Sequence, residues 1–212
     1  MNYQAIIFDL DGVLCSTDRY HYLAWKLLAN ELGLTLDSKK SDRLRGVSRM
    51  ESLNIVMEGW CGKPLSLAEK ELLAERKNAF YRSYLEAMSP KDLSAEVRWV
   101  LTQLRAGGYL MAVGSSSKNT PLILQRLGLE NTFDTVVDGN SIAHSKPHPE
   151  VFQEAASRLG LPADQCLVVE DAASGVAAAI AGGFHCAGIG PAASVLGVTY
   201  PLDTLKDLLR YC

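Results

Sequence analysis

The sequence predicts an α/β fold: a Rossmann-like parallel sheet core with helices on both faces, plus a helical cap inserted after the first strand. Three observations lead to this prediction. Short apolar runs alternate with helical stretches along most of the chain, most of these runs end at polar or glycine residues, and the segment 16–89 has helical periodicity without a convincing strand. Alternating buried strands and helices are typical of a parallel sheet that is built through right-handed crossovers.

Five apolar runs are too short to be helices and therefore predict the strands. The first, Ala5–Phe8, leads directly into Asp9-Leu10-Asp11-Gly12, which indicates a buried strand that meets a polar turn. The other strands are expected at 110–113, 136–137, 167–169 and 186–189. Helices are expected between them at 96–104, 121–127, 149–159 and 172–181, and a last helix is expected at 202–209.

The segment 16–89 interrupts this alternation. Its first helix is predicted because four residues recur at helical spacing: His21, Trp25, Leu28 and Leu32. Gly33 ends that helix, and a serine, threonine or aspartate at 16–18 can cap its start. Further helices are expected at 51–57 and 67–85. We therefore predict two domains, a core of residues 1–15 and 90–212 and a helical cap of residues 16–89.

The composition excludes several classes of protein. The 212 residues are 48% hydrophobic and include 21 basic and 24 acidic side chains, for a net charge of -3. A chain this apolar and weakly charged is not disordered, and neither nucleic acid nor a membrane is its expected partner. The sequence shows no secretory leader and no stretch long enough to span a bilayer, which predicts a cytoplasmic protein. Nothing in it indicates dimerisation, so a monomer is expected.

The cysteines and most histidines are expected to have no special chemistry. The five cysteines are scattered and form no C-x-x-C pair or Cys/His cluster that suits zinc. We expect them to be reduced and mostly buried. We assign no role to His144, His148 and His185, because they have no partners at metal-binding spacing. Trp60 and Trp99 are expected to pack against other hydrophobic side chains.

Polar side chains follow three of the predicted strands. In a doubly wound sheet, ligands bind beyond the carboxyl ends of the strands, so these side chains are expected at one edge. They are Asp9 and Asp11 after the first strand, Ser115 after the second, and Glu170 with Asp171 after the fourth. Lys146 precedes a helix and can reach the same edge.

The residue types at this edge predict its chemistry. Alternate residues of an extended chain point the same way, so Asp9 can attack an electrophile while Asp11 delivers a proton to a leaving oxygen. Four converging carboxylates repel one another unless a hard cation is present, and Mg²⁺ fits because it prefers oxygen ligands and bridges to phosphates. Ser115 and Lys146 supply donors for phosphoryl oxygens. Taken singly, each of these residues also suits a turn, a helix cap or a solvated surface.

Four segments of the chain resemble the motifs of the haloacid dehalogenase superfamily: Phe8-Asp9-Leu10-Asp11-Gly12-Val13-Leu14, Ser115, Lys146-Pro147 and Val169-Glu170-Asp171-Ala172-Ala173-Ser174-Gly175. The resemblance covers essentially the whole chain, and the inserted helices are similar to that superfamily's small helical cap. It implies that Asp9 is the phosphorylated nucleophile and Asp11 the general acid/base. It also implies that Asp9, Asp11 and Asp171 hold Mg²⁺, with Glu170 close by.

A second resemblance rests on five segments of the cap and one of the core: Thr17-Asp18-Arg19-Tyr20-His21, Ala24-Trp25, Gly46-Val47-Ser48-Arg49, Glu51-Ser52-Leu53, Arg76-Lys77-Asn78 and Ser115-Ser116-Ser117-Lys118-Asn119. These segments resemble the β-phosphoglucomutase family within that superfamily. The substrate-binding residues that this resemblance implies are Thr17, His21, Trp25, Gly46, Val47, Ser48, Arg49 and Lys77 in the cap, and Ser115, Ser116, Ser117, Lys118, Asn119 and Lys146 in the core. By the resemblance, Arg49 binds the phosphate that does not react, and His21 couples cap closure to Asp11. The sugar is contacted by Lys77 and by the backbone of Gly46-Val47-Ser48. The implied reaction converts β-glucose 1-phosphate into glucose 6-phosphate through a β-glucose 1,6-bisphosphate.

Two other functions fit the same motifs. A phosphatase of a sugar phosphate or other small metabolite would use the same Asp9 chemistry, with water as the final acceptor. A non-catalytic sensor is less consistent with the chain, because Asp9, Asp11, Glu170 and Asp171 are all present.

The sequence also departs from the family at two points. Ser16 stands where many relatives have Asp, and no Pro-Gly precedes the helix expected after Ser94.

Overall fold

The computed structural model describes residues 3–44 and 48–212, and the chain divides into two compact units. The core unit contains Met1–Ser16 and Met88–Cys212, and the cap unit contains Thr17–Ala87. The cap thus begins and ends within one or two residues of the predicted segment 16–89. Each unit has a hydrophobic cluster of its own.

Four helices make up the described part of the cap unit: α1 (Asp18–Glu31), α2 (Ser38–Asp42), α3 (Arg49–Val56) and α4 (Leu67–Leu85). Helix α4 has the predicted bounds, and it begins at a capping box in which Ser66 and Glu69 exchange side-chain-to-backbone hydrogen bonds. Helix α1 packs against α4, and the interior between the helices includes Trp25, Leu28 and Leu53. The short helix α2 was not predicted.

A six-stranded parallel sheet forms the centre of the core unit. Its strands are β1 (Ala5–Phe8), β2 (Leu110–Gly114), β3 (Thr135–Val137), β4 (Cys166–Glu170), β5 (His185–Ile189) and β6 (Tyr200–Leu202). Their order is β3-β2-β1-β4-β5-β6, and every neighbouring pair is parallel. The predicted α/β class is confirmed. Because Phe8 pairs with both Val113 and Val169, the carboxyl ends of β1, β2 and β4 meet at one edge.

Helices cover both faces of this sheet. They are α5 (Ala95–Ala106), α6 (Thr120–Leu127), α7 (Glu150–Leu159) and α8 (Ala173–Ala181). Helix α7 packs on β1, β2 and β3, where Phe152 is fully buried beside Ile7 and Ala112. Burial of an aromatic ring of this size stabilises the core by roughly 2 to 3 kcal/mol.

The predicted helix at 202–209 is confirmed only in its later part, where it is a 3₁₀ helix. Residues Tyr200–Leu202 form the edge strand β6, and a 3₁₀ helix follows at Leu205–Arg210. Leu202, Leu205 and Leu208 are buried at intervals of three. This spacing places side chains in line along a 3₁₀ helix, whereas an α-helical stripe needs steps of three and four.

Three further expectations concern membrane spans, cysteines and a tryptophan. In the parts of the chain that the structure describes, no helix is both long and apolar enough to cross a membrane. All five cysteines are free thiols, but Cys166 and Cys186 are the two that are buried. The expectation that most cysteines are buried is therefore wrong. Trp99, expected in packing, is 46% exposed.

Candidate active site

The turn after β1 places Asp9 at the carboxyl edge of the sheet. The Asp9 N–H donates to the Val169 carbonyl at 2.9 Å, which extends the pairing of β1 with β4 by one residue. Leu10 is fully buried, as expected of a side chain that points back into the core. The chain then turns back sharply, with the Leu14 N–H bonded to the Leu10 carbonyl at 3.0 Å and Gly12 at a φ of +96°.

Lys146 joins the carboxylates that follow two neighbouring strands. Its Nζ donates hydrogen bonds to Asp9 Oδ1 and, at 2.7 Å, to Glu170 Oε1. The ammonium group also lies 4.6 Å from the centroid of the Phe152 ring, and the lysine side chain is 9% exposed. Lys146 therefore reaches the sheet edge where Asp9 follows β1, and its charge is largely shielded from water.

Burial dominates the protonation of this group. It raises the pKa of Asp9 to about 7, an effect that Lys146 opposes and that the negative charges of Glu170 and Asp171 increase. For Lys146, burial acts to lower the pKa, but the attraction of Asp9 and Glu170 outweighs it and raises the pKa above the ordinary value. Lys146 is therefore a permanent cation at neutral pH.

The Glu170 carboxylate is held entirely by groups of the core unit. Oε2 accepts the backbone N–H groups of Asp171 and Ala172, both at 2.9 Å, while Oε1 faces Lys146. A Cβ at Gly175 would lie 1.7 Å from Oε1, so glycine is needed there for the carboxylate to lie against α8. These contacts suit a residue that positions Lys146 and the start of α8 more than a direct metal ligand.

The oxygen donors beside Gly12 fit a magnesium ion. A Cβ at Gly12 would lie 1.9 Å from Asp171 Oδ2, so the Asp171 carboxylate rests against the turn that carries Asp11. The groups that would hold the ion are the Asp9 and Asp171 carboxylates, together with the Asp11 carbonyl that the family resemblance implies. Such an all-oxygen set, with excess negative charge, matches the preference of Mg²⁺.

The segment 115–119 lies at the same edge, beyond β2. Ser115 is buried, its N–H donates to the Val137 carbonyl at 3.0 Å, and its hydroxyl oxygen accepts the Ser117 N–H at 3.2 Å. The Ser116 hydroxyl oxygen accepts the Lys146 N–H at 3.4 Å, which links this segment to the lysine loop. Asn119 is also buried, whereas Lys118 is exposed.

A neighbouring turn, Asp138-Gly139-Asn140, braces this segment and was not predicted as part of the site. The Asn140 amide donates to the Lys118 carbonyl at 3.1 Å, and Asp138 accepts the Asn140 N–H at 2.9 Å. A Cβ at Gly139 would lie 2.3 Å from the Ser116 carbonyl oxygen. The Asp-Gly-Asn sequence is an ordinary turn signal and does not reveal what the turn contacts.

The cap unit contains a second cluster with unusual electrostatics. Lys77 is 3% exposed, and its Nζ lies 2.7 Å from His21 Nδ1 and 4.8 Å from the ring centroids of both Trp25 and Tyr81. Burial lowers the pKa of His21 to about 3, with further lowering by the positive charges of Lys77 and Arg49. The imidazole is therefore neutral and accepts a hydrogen bond from the ammonium group.

The other cap residues predicted to bind substrate differ in their contacts. Arg49 pairs with Glu75 at 2.7 Å and donates to the Asn78 side-chain oxygen at 3.2 Å. Thr17 is fully buried and shares a 2.8 Å hydrogen bond with the Tyr81 hydroxyl, so in this structure it supports the cluster from within the cap. Ser48 caps α3, and Trp25 is a core residue of the cap. Gly46 and Val47 lie outside the described residues.

The buried imidazole makes the stability of the protein sensitive to acid. The native pKa of His21, about 3, lies below its ordinary value of 6.5, so the unfolded state binds the extra proton in the interval between them. Stability attributable to His21 is therefore complete above pH 6.5 and falls as the pH is lowered, by about 1 to 2 kcal/mol at about pH 5. Urea unfolding followed by tryptophan fluorescence measures this loss. His21→Gln is expected to show a shallower pH dependence, and an equal slope in both proteins would contradict the assignment.

The expectation that His144 and His148 have no metal-binding partners is wrong. Among the residues that the structure describes, potential ligand atoms of His144, His148 and Glu150 lie within 4.8 Å of one another. Spacing along the sequence did not reveal the group, because the loop brings the carboxylate back over the first histidine. His185 is not part of this group, and its Nδ1 lies 2.9 Å from the Tyr3 hydroxyl oxygen.

A family model described as haloacid dehalogenase-like hydrolase matches residues 3–183. The chain belongs to this family, and it is an enzyme of the phosphoryl-transfer type. It is 36% identical over 206 residues to a β-phosphoglucomutase of Bacillus subtilis (strain 168), with 97% of this chain and 91% of the relative covered. The expected resemblance is confirmed at the level of the family.

Two other relatives refine the comparison. The fructose-1-phosphate phosphatase YqaB of Escherichia coli (strain K12) is 32% identical, over 85% of this chain and 93% of the relative. The crystal structure of a β-phosphoglucomutase from Clostridium difficile superimposes with a TM-score of 0.84 at 32% identity, over 98% of this chain and 96% of that chain. Both mutases and phosphatases are thus among its relatives.

Proposed function

We propose that this protein is a β-phosphoglucomutase, which interconverts β-D-glucose 1-phosphate and glucose 6-phosphate through an aspartyl-phosphate enzyme and a β-glucose 1,6-bisphosphate. The observation that carries the proposal is the pair of cationic side chains beside His21 in the cap, Lys77 and Arg49, which adds a second candidate anion site to the one in the core. A mutase has to bind a phosphate at each end of its intermediate. The mutase relative also covers 97% of this chain.

In the core unit, Asp9 is the proposed nucleophile. Its carboxylate oxygen attacks phosphorus as the bond from phosphorus to the sugar oxygen breaks, and Asp11 gives its proton to that oxygen. Lys146 and Ser115 hold the phosphoryl oxygens by charge and hydrogen bonding. Bound Mg²⁺ would supply further neutralisation of the phosphoryl charge, with Asp9, Asp171 and the Asp11 carbonyl as its ligands.

In the cap unit, Lys77 and Arg49 are the proposed groups for the sugar and the second phosphate. Arg49 already holds one carboxylate, that of Glu75, at 2.7 Å. A guanidinium that binds a carboxylate in this way also suits phosphate oxygens. We propose a small sugar phosphate as the partner of a cytoplasmic monomer, with no nucleic acid and no membrane involved.

An anomer-resolved assay tests the proposed reaction. The protein is supplied with Mg²⁺, a hexose bisphosphate primer and either anomer of glucose 1-phosphate, and both glucose 6-phosphate and free phosphate are measured. We expect glucose 6-phosphate from the β anomer and little free phosphate. Release of free phosphate without glucose 6-phosphate would show a phosphatase, the second candidate function, which YqaB represents among the relatives.

Arg49→Ala separates the two functions further. A mutase variant is expected to lose turnover by about a hundredfold or more, because truncating one partner of a hydrogen-bonded charge pair that the bound substrate shields from water costs roughly 2 to 5 kcal/mol. A phosphatase that ignores a second phosphate would keep its rate. Arg43→Ala is the matched control, since Arg43 is also in the cap and pairs with Glu58 at 2.6 Å. Equal mutase rates in both variants would contradict the role of Arg49.

A further inference from the structure

Two imidazoles and a carboxylate meet on the loop that carries Lys146. His144 Nδ1 lies 2.8 Å from Glu150 Oε2, and His148 Nδ1 lies 3.8 Å from the same oxygen. The two imidazole rings are tilted by 34° to each other, with centroids 4.6 Å apart. One ligand atom from each residue can be chosen so that all three lie within 4.8 Å of one another.

The loop backbone holds this group in place. Glu150 is the first residue of α7, and its two carboxylate oxygens accept the N–H groups of Ala143 at 2.7 Å and His144 at 2.9 Å. Its own N–H donates to His148 Nδ1 at 3.3 Å. The segment 143–150 is therefore folded back on itself before any ligand binds, which reduces the entropy that binding would cost.

The group is also accessible from solvent. The side chains of His144 and His148 are 64% and 50% exposed, and that of Glu150 is 28% exposed. Exposed imidazoles can rotate by the small amount needed to bring their nitrogens to the roughly 2.0 to 2.1 Å of a zinc bond. None of the three side chains has a role in the proposed phosphoryl transfer.

We propose that His144, His148 and Glu150 form a binding site for a borderline-soft divalent metal ion, with Zn²⁺ as the best fit. Two neutral imidazole nitrogens and one carboxylate oxygen are a ligand set that zinc uses, with its remaining position open to water. Mg²⁺ prefers oxygen ligands, so the acidic site at Asp9 and this site select different metals. When zinc is bound, the loop is held at His144 and at His148, which lie on either side of Lys146 in the sequence.

Binding is tested on the full chain without an affinity tag. Zn²⁺ is titrated against a chromophoric chelator in the presence of excess Mg²⁺, which occupies the acidic site. We expect one zinc per chain, and a weakening of about tenfold or more in His144→Ala and in His148→Ala, since loss of a direct ligand should cost at least as much as loss of an outer-shell partner. Glu154→Gln, one turn further along α7, is the matched control and is expected to bind zinc normally.

Two results would overturn the proposal. One is equal zinc affinity in wild type and in both histidine variants. The other is loss of the zinc in a variant with both Asp9→Asn and Asp171→Asn, because it would place the ion at the acidic site. An anomalous-scattering peak between His144 and His148 in crystals soaked with zinc would support the assignment directly.

Discussion

Asp9→Asn is expected to lose turnover by a factor on the order of 10⁵ to 10⁶, as removal of a covalent nucleophile does in other enzymes. An amide oxygen has the size of the carboxylate oxygen but is a far weaker nucleophile. Asp9 is buried, and the Lys146 ammonium group contacts Oδ1. Intact mass measurement after incubation with substrate should show a phosphorylated species for the wild type and none for the variant.

The comparison for this variant is Asp164→Asn, which changes an exposed aspartate of the same core unit. We expect Asp164→Asn to keep both its rate and the phosphorylated species. Wild-type turnover in Asp9→Asn would refute the nucleophile assignment, whether the enzyme is a mutase or a phosphatase.

Lys146→Met is expected to lower turnover by about a thousandfold and to destabilise the fold. The rate falls because the variant lacks the charge that holds phosphoryl oxygens. Stability falls by roughly 3 to 5 kcal/mol because the buried carboxylates of Asp9 and Glu170 lose their shared cation. Steady-state kinetics and urea unfolding measure the two effects separately.

A second substitution distinguishes these effects. Lys146→Met combined with Glu170→Gln is expected to regain part of the stability, since one buried negative charge is removed, but none of the activity. Lys91→Met, at an exposed lysine of the core unit, controls for the loss of a positive charge. Recovery of turnover in the double variant would show that Lys146 acts on Glu170 alone.

The parts of the fold with strong local signals were predictable from the sequence. Ala5–Phe8 and Leu67–Leu85 have their predicted bounds, the first because an apolar run ends at Asp9 and the second because Ser66 caps a run of helix formers. A parallel sheet brings the carboxyl ends of separate strands together, so the sequence also predicted that Asp9 and Lys146 lie at one edge of the sheet.

The remaining features depend on contacts that leave no local signal. The strand β6 contains Pro201, which argues against a central strand but is tolerated at an edge. Phe152 looks like any apolar residue of α7, yet its ring lies 4.6 Å from the Lys146 ammonium group. Similarly, Glu150 meets His144 because of the fold of one loop.

The central position of β1 has a consequence for how the protein folds. Phe8 pairs with Val113 and Val169, so both neighbours of the strand that leads to Asp9 come from far along the chain. Contacts of such long range form slowly, whereas the helices of the cap unit pack against partners that are closer in sequence, such as α1 against α4. We expect the cap to acquire structure while β1 still lacks its neighbours. The proposed nucleophile, Asp9, is thus expected to reach its working environment late in folding.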